Sequence, residues 1–217
     1  LDNFATVQAA VDVARTEPFT VIPFELGGRE GTAHLALSDP SGDSAIFEYL
    51  DGKLVVHHGP QYTVMTNSPP YDDQLALNDY WDLIGGSKFL PGTIGAADRF
   101  VRLSYNLKSS PKFSDPKLAV GSVFSQIRAI SVPLGMNDPE KPNIAATLWR
   151  SVLDQNSKVY YLETSLMPAV MWVDFSRINF SEGSGVRKIP IDATTNLSGE
   201  ISGQFSSAAP FSWAADQ

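Results

Sequence analysis

The stretch that most restricts how this chain can fold is Tyr62-Thr-Val-Met-Thr-Asn67-Ser-Pro-Pro70, which separates a run of short β-forming segments from a run of helical ones. Aromatic and β-branched residues bring the chain into it as a strand. Two consecutive prolines then end any ladder, because neither has the N–H that a neighbouring strand needs. Both fit the first turn of a helix, where that N–H has no partner anyway. Asn67 is therefore expected at a strand tip just before a helix. Two readings stay open there: Asn67 and Ser68 cap the helix by accepting its orphan N–H groups, or Asn67 belongs to a functional site.

Upstream, Val7, Ala10, Val11 and Ala14 recur at helical spacing, with Thr6 as the cap and Pro18 as the stop. Residues 19–24 read as a strand with Pro23 at its edge or end. The glycine-rich Gly27-Gly-Arg-Glu-Gly31 lacks the spacing of a phosphate-binding loop and reads as a turn. Residues 33–38, 44–50, 53–58 and 62–66 follow as an antiparallel meander. Asp51-Gly52 supplies its clearest hairpin turn, since a type I′ turn needs positive φ at both central positions.

Downstream, residues 70–84 read as a helix with Tyr71, Leu75, Leu77, Trp81 and Ile84 facing a core, and with Asp72 and Asp73 complementing its N-terminal dipole. A loop from Gly85 to Gly92 leads to a second helix over 95–107, on the stripe Ala96, Phe100, Leu103 and Leu107. Asp98 and Arg102 are four apart and suit a surface ion pair, which leaves Arg99 the less explained arginine. A third helix, capped by Ser114 and running to about Ser131, carries Val120, Val123, Ile127 and Ile130. Three strands over 145–154, 157–165 and 169–174 come next, with Trp149, Tyr160, Tyr161 and Trp172 as cross-strand packing. After Phe180 the chain is rich in Ser, Gly and Thr and reads as a surface tail anchored by Phe205, Phe211 and Trp213. Strands, then helices, then strands describe one α+β unit in which helices cover antiparallel sheet.

Composition narrows the chemistry. The 217 residues are 43% apolar, carry a net charge of −8 and hold only 16 scattered lysines and arginines, which argues against tracking nucleic-acid phosphates. No run approaches the roughly 18 apolar residues of a membrane span. There is no cysteine, so no disulfide, thiolate metal site or thiol nucleophile can come from this chain. Of the three histidines, His57 and His58 are strand neighbours on opposite faces and His34 stands apart, so no metal or other cofactor is expected.

Met65-Thr-Asn67-Ser-Pro, Asn78-x-Tyr-Trp-Asp82 and Leu90-Pro-Gly92 with Ala97-Asp-Arg99-Phe-Val-Arg102 resemble the choloylglycine hydrolase and penicillin V acylase family, most closely its Gram-negative branch. Further blocks match in order, from Leu1-Asp-Asn-Phe-Ala-Thr-Val to Ile178-Asn-Phe180. The resemblance implies the greater part of a four-layer αββα sandwich of N-terminal-nucleophile hydrolases. It also implies hydrolysis of a linear non-peptide amide: penicillin V, an acyl-homoserine lactone or, least favoured, a conjugated bile salt. Asn67 and Arg99 match the family's active-site asparagine and arginine, and Phe89 and Leu90 fall where a loop borders its substrate pocket, unless they only anchor that loop. Family members attack with an N-terminal cysteine. We therefore expect this chain to be the C-terminal portion of such an enzyme, inactive alone, its partner being the missing N-terminal segment. The same resemblance implies a bacterial homotetramer, periplasmic or cytoplasmic, with the periplasm slightly favoured. A non-catalytic binding or scaffold protein derived from the fold is the competing reading.

Overall fold

The computed structural model describes residues 3–21, 24–26, 29–31, 33–85, 89–136, 146–167, 169–192 and 196–211, with the backbone alone at 24–26 and 29–31. The chain forms two compact units. One comprises Leu1–Lys112, Ser125–Val132 and Met136–Ala145; the other comprises Phe113–Phe124, Pro133–Gly135 and Ala146–Gln217.

In the first unit, helix α1 (Val7–Ala14) starts where expected, with the Thr6 hydroxyl accepting the Ala9 N–H at 3.2 Å. Asp39 accepts the Val7 N–H at 2.8 Å, so a second orphan donor of the first turn is also satisfied. The helix ends at Ala14, well before Pro18. Residues 19–21 form no strand; instead β1 (Phe24–Leu26) pairs antiparallel with β2 (Arg29–Gly31). Ile22, Pro23, Gly27 and Gly28 of the expected strand and glycine turn lie outside the described residues.

Strands β3 (His34–Ser38), β4 (Ser44–Leu50) and β5 (Lys53–His58) form the expected meander in the order β3-β4-β5. At its second turn Asp51 and Gly52 have φ of 51° and 76°, the pair of positive values a type I′ hairpin demands. Both faces of this sheet are covered. Ala45 and Phe47 pack against Val7 and Val11 of α1, while Ile46, one residue out of phase, packs against Val64, Tyr71 and Phe100. Burial on both sides is why β4 reads as a near-continuous apolar run in place of a strict alternation.

Residues 62–66 form no strand. The Tyr62 and Thr63 N–H groups bond back to Gly59 and Gln61 carbonyls, so the turn after β5 uses donors that a ladder would need. Helix α2 (Tyr71–Ile84) and helix α3 (Ala96–Ser109) follow. On α2 the buried pair is Tyr71 and Gln74, whereas Leu77 and Ile84, expected in the core, are exposed. On α3 the core positions are Phe100 and Val101, and Leu107 is exposed.

Helix α4 (Pro116–Ala129) is capped by Asp115, which accepts the Leu118 N–H at 3.0 Å, and not by Ser114. Its buried residue is Phe124, while the neighbouring Val123, expected inside, is exposed.

In the second unit, β6 (Trp149–Asp154), β7 (Val159–Thr164) and β8 (Met171–Asp174) form antiparallel pairs, each strand shorter than the sequence pattern predicts. Asp154 shapes the turn between β6 and β7 by accepting the Asn156 and Ser157 N–H groups. Tyr161 and Trp172 pair across the strands with ring centroids 5.9 Å apart, but Trp149 is 63% exposed and packs far less than expected.

The segment after Phe180 is built into this unit, contrary to the expected surface tail. Strand β9 (Val186–Lys188) pairs antiparallel with β11 (Ser206–Ala208), and β10 (Gly199–Glu200) joins β8 in parallel. Ile201 lies in the core with Met171 and Val173, and Phe205 packs against it. Phe211 is exposed and Trp213 lies outside the described residues.

Candidate active site

The chain reaches Asn67 through Val64 and Thr66, both buried, and leaves it through a cis Ser68–Pro69 peptide into α2. Neither Asn67 nor Ser68 caps that helix. Pro70 is the capping residue and has no side-chain bond to give. Glu48, reaching across from β4 and 5% exposed, accepts the Tyr71 N–H at 3.0 Å in their place. Capping by Asn67 or Ser68 is thereby removed, and the exposed Asn67 carboxamide remains available for other chemistry.

Arg99 lies one turn into α3, 32 residues further on, yet its Nη2 donates to Asn67 Oδ1 at 2.8 Å. Its Nε donates to the Ile94 carbonyl at 3.1 Å, which fixes the guanidinium plane from the other side. An asparagine oxygen that accepts from an arginine leaves the amide nitrogen, with two N–H donors, as the end not engaged by the guanidinium. Burial, and secondarily the nearby Arg102, hold the Arg99 pKa below its usual value, but a guanidinium keeps its charge at any ordinary pH. Among the described residues no carboxylate pairs with Arg99. A half-buried cation and a directed amide donor thus meet at one place, an arrangement suited to stabilising an anion.

Arg102 is spent otherwise. Its Nη1 donates to the carbonyls of Pro91 and Thr93 at 2.7 and 2.8 Å, so the expected Asp98–Arg102 pair does not form. Asp98 instead accepts the Thr93 N–H and hydroxyl at 3.0 and 2.6 Å. Both residues pin the loop ahead of α3. Sequence spacing alone identifies a possible helix pair; it cannot see that two loop carbonyls and a threonine outcompete it.

Phe89 sets its ring edge-on against Trp81 with centroids 5.6 Å apart, and a Cβ at Gly85 would lie 3.2 Å from it. That contact anchors the loop, while 55% of Phe89 remains exposed and Leu90 is half-buried. Gly86, Ser87 and Lys88 lie outside the described residues. Asn78 and Asp82 face a groove between α2 and α3, where Asp82 bonds Lys108 at 3.2 Å. His57 and His58 point to opposite sheet faces as expected, each paired to a different carboxylate: Asp72 at 2.7 Å and Asp43 at 2.8 Å.

Sequence reasoning missed the residues that hold this corner. Gln74 is 1% exposed on α2, and Thr66 and Glu48 are nearly as buried. The available signal was a glutamine at a position of α2 that shares a face with Tyr71.

A profile described as linear amide C–N hydrolases, choloylglycine hydrolase family, matches residues 1–188. The chain is 46% identical to a penicillin V acylase of Pectobacterium atrosepticum over 99% of its own length and 61% of that protein's. It is 23% identical to a bile salt hydrolase/transferase of Bifidobacterium longum, over 77% of this chain and 59% of that protein. The structure of penicillin V acylase from Agrobacterium tumefaciens superposes with a TM-score of 0.86 at 47% identity, covering 97% of this chain and 65% of that one. A conjugated bile acid hydrolase variant from Clostridium perfringens shares the fold, with a TM-score of 0.70 at 20% identity over 91% of this chain and 66% of the other. The α+β fold is thus that of the N-terminal-nucleophile hydrolases, as expected, and this chain spans about three fifths of the curated relatives' length. By profile, identity and fold, the chain belongs to the choloylglycine hydrolase family of linear amide C–N hydrolases.

Proposed function

We propose that this chain forms the oxyanion-binding and charge-supplying part of an enzyme that hydrolyses a linear non-peptide amide, with the nucleophile carried by polypeptide beyond these 217 residues. The absence of cysteine from the chain requires that division if the chemistry is that of a thiol. The observation that carries the reading is the 2.8 Å bond from Arg99 to Asn67 Oδ1, which joins two residues from separate elements and leaves the amide donor clear of the guanidinium.

An N-terminal cysteine thiol attacks the amide carbonyl carbon, and its own α-amino group takes the thiol proton; an unperturbed pKa of about 8 suits that group to the task. A C–S bond forms and the carbonyl π pair moves to oxygen. The Asn67 amide donates to that oxyanion, while the Arg99 charge favours the thiolate. Collapse breaks the C–N bond, and the ammonium proton leaves with the amine. Water then adds to the thioester, returning the thiol and releasing the acid. Penicillin V suits the reading better than a conjugated bile salt, given 46% identity to a penicillin V acylase against 23% to a bile salt hydrolase/transferase, and an acyl-homoserine lactone is the alternative amide.

The test uses the protein that joins these residues to a cysteine-bearing segment. Asn67→Ala and Arg99→Ala should each lower kcat on phenoxymethylpenicillin by about a hundred- to a thousandfold, with the melting temperature nearly unchanged. Wild-type rates in both variants would remove the pair from the chemistry.

A further inference from the structure

The backbone on each side of Asn67 is gripped by one buried side chain. Gln74, 1% exposed on α2, donates from Nε2 to the Pro69 carbonyl at 2.7 Å and, at a longer 3.4 Å, to the Thr66 carbonyl. Its Oε1 lies 2.7 Å from the Thr66 hydroxyl, and that hydroxyl lies 2.8 Å from the carbonyl of Ala96, the first residue of α3. The hydroxyl has one proton, so it is shared between the two acceptors. Arg99 sits one turn further along the same helix and returns to Asn67 Oδ1. Contacts therefore run in a closed ring: the loop at Asn67, Gln74, Thr66, the start of α3, Arg99, and Asn67 again.

The side-chain link in this ring is not needed for stability. A Leu at position 74 with a Val at position 66 would remove both partners of the Gln74–Thr66 bond, which is often nearly neutral, although the Pro69 carbonyl would lose the donor that Gln74 supplies. What an apolar pair cannot supply is direction. A hydrogen bond constrains angle as well as distance, and a site that must hold a donor at an oxyanion within a few tenths of an ångström needs supports of that kind.

We propose that Gln74 and Thr66 are positioning residues for the Asn67–Arg99 pair, fixing the carboxamide against the guanidinium by tying the Asn67 backbone to the first turn of α3. This rests on the reading that Asn67 and Arg99 serve amide hydrolysis. Neither Gln74 nor Thr66 touches substrate; each acts through Asn67.

The experiment measures phenoxymethylpenicillin hydrolysis by the complete enzyme. Thr66→Val and Gln74→Leu should each lower kcat by about ten- to a hundredfold and leave KM within about twofold, the pattern of a transition-state contact displaced by a fraction of an ångström. Thr66→Ser, which keeps the hydroxyl, should restore kcat to within about threefold of wild type. In an Asn67→Ala background, adding Thr66→Val should cause no further loss, because the group it positions is gone. Wild-type kcat in Thr66→Val together with a crippled Asn67→Ala overturns this inference alone. Wild-type kcat in Asn67→Ala overturns the reading beneath it. A full additional loss in the double variant assigns Thr66 a general structural role and also overturns the proposal. Should Gln74→Leu fail to fold, Thr66→Val decides the matter, since it removes one hydroxyl at almost constant volume.

Discussion

Around Asn67 the buried side chains that hold the backbone are polar: Glu48, Thr66 and Gln74 are each under a tenth exposed, and each bonds a backbone group. Around Met171 in the second unit they are mainly apolar. Met171, Val173 and Ile201 form the centre, with Leu162, Ile178, Ile189 and Phe205 packed on it. Apolar contact is non-directional and scales with area, so it tolerates small rearrangements as long as volume is kept. Buried hydrogen bonds forgive little, because a displaced partner leaves a desolvated donor or acceptor unmet. The 2.8 Å contact between Asn67 and Arg99 thus has the second kind of support beside it, and the Met171 cluster mainly the first.

Truncating the apolar centre should give the larger loss of stability. Met171 is fully buried, and Met171→Ala should cost about 2–5 kcal/mol, read as a shift in the denaturant midpoint of the protein carrying this chain. Its kcat per folded molecule should stay close to wild type. The contrast breaks if Met171→Ala lowers kcat as much as Thr66→Val does, for then the core of the second unit also sets site geometry.

Glu48→Ala should cost less, about 1–3 kcal/mol, because it strips the Tyr71 N–H of its acceptor without opening a large apolar void. The Tyr71 hydroxyl feels the same enclosure: burial, with Tyr62 and Glu48 nearby, pushes its pKa up to about 12. The effect of Glu48→Ala should be local, with faster hydrogen exchange at the first amides of α2 than at those of α3. Equal acceleration in both helices would show that Glu48 supports the whole unit and would erase the distinction between a directed and a general contact.

How much of this was legible in the residues follows the same division. The meander from β3 to β5 could be read because Asp51-Gly52 and the flanking strands are local signals, and α1 because Thr6 and its apolar spacing are. The position of Asn67 beside Arg99 came through likeness to a family, since no periodicity relates residues 32 apart. The tail failed to read because β10 pairs with β8 in parallel, and Ile201 reaches the core through contacts made nearly thirty residues away. A Ser- and Gly-rich composition carries no sign of such pairing. On α2 the apolar spacing places Leu77 and Ile84 inside, while Gln74, which bonds the Thr66 and Pro69 carbonyls, takes the buried place. Hydropathy counts area, and at this corner direction decided.

The smallest expected effect sharpens the contrast from its other end, at a polar contact that is exposed. Asp174 ends β8 and accepts from the Ser176 hydroxyl at 2.6 Å and the Ser176 N–H at 2.9 Å. These bonds, the hydroxyl's first and the N–H's next, hold its carboxyl below the ordinary 3.8, with burial opposing them and Arg177 assisting. A carboxyl whose folded pKa is depressed contributes stability above its unfolded value and loses that contribution as pH falls through the folded one. Asp174→Asn keeps an acceptor for Ser176 but no charge. Wild type should therefore melt slightly above Asp174→Asn at neutral pH, and the gap should close as the pH is lowered below about 3.8, the range in which the native carboxylate takes up its proton. Thermal melts at a series of pH values read this directly. A gap that persists undiminished in acid would mean that the aspartate acts through shape and not charge. A gap larger than that of Glu48→Ala would mean that exposure does not weaken polar contacts in this protein as the contrast requires.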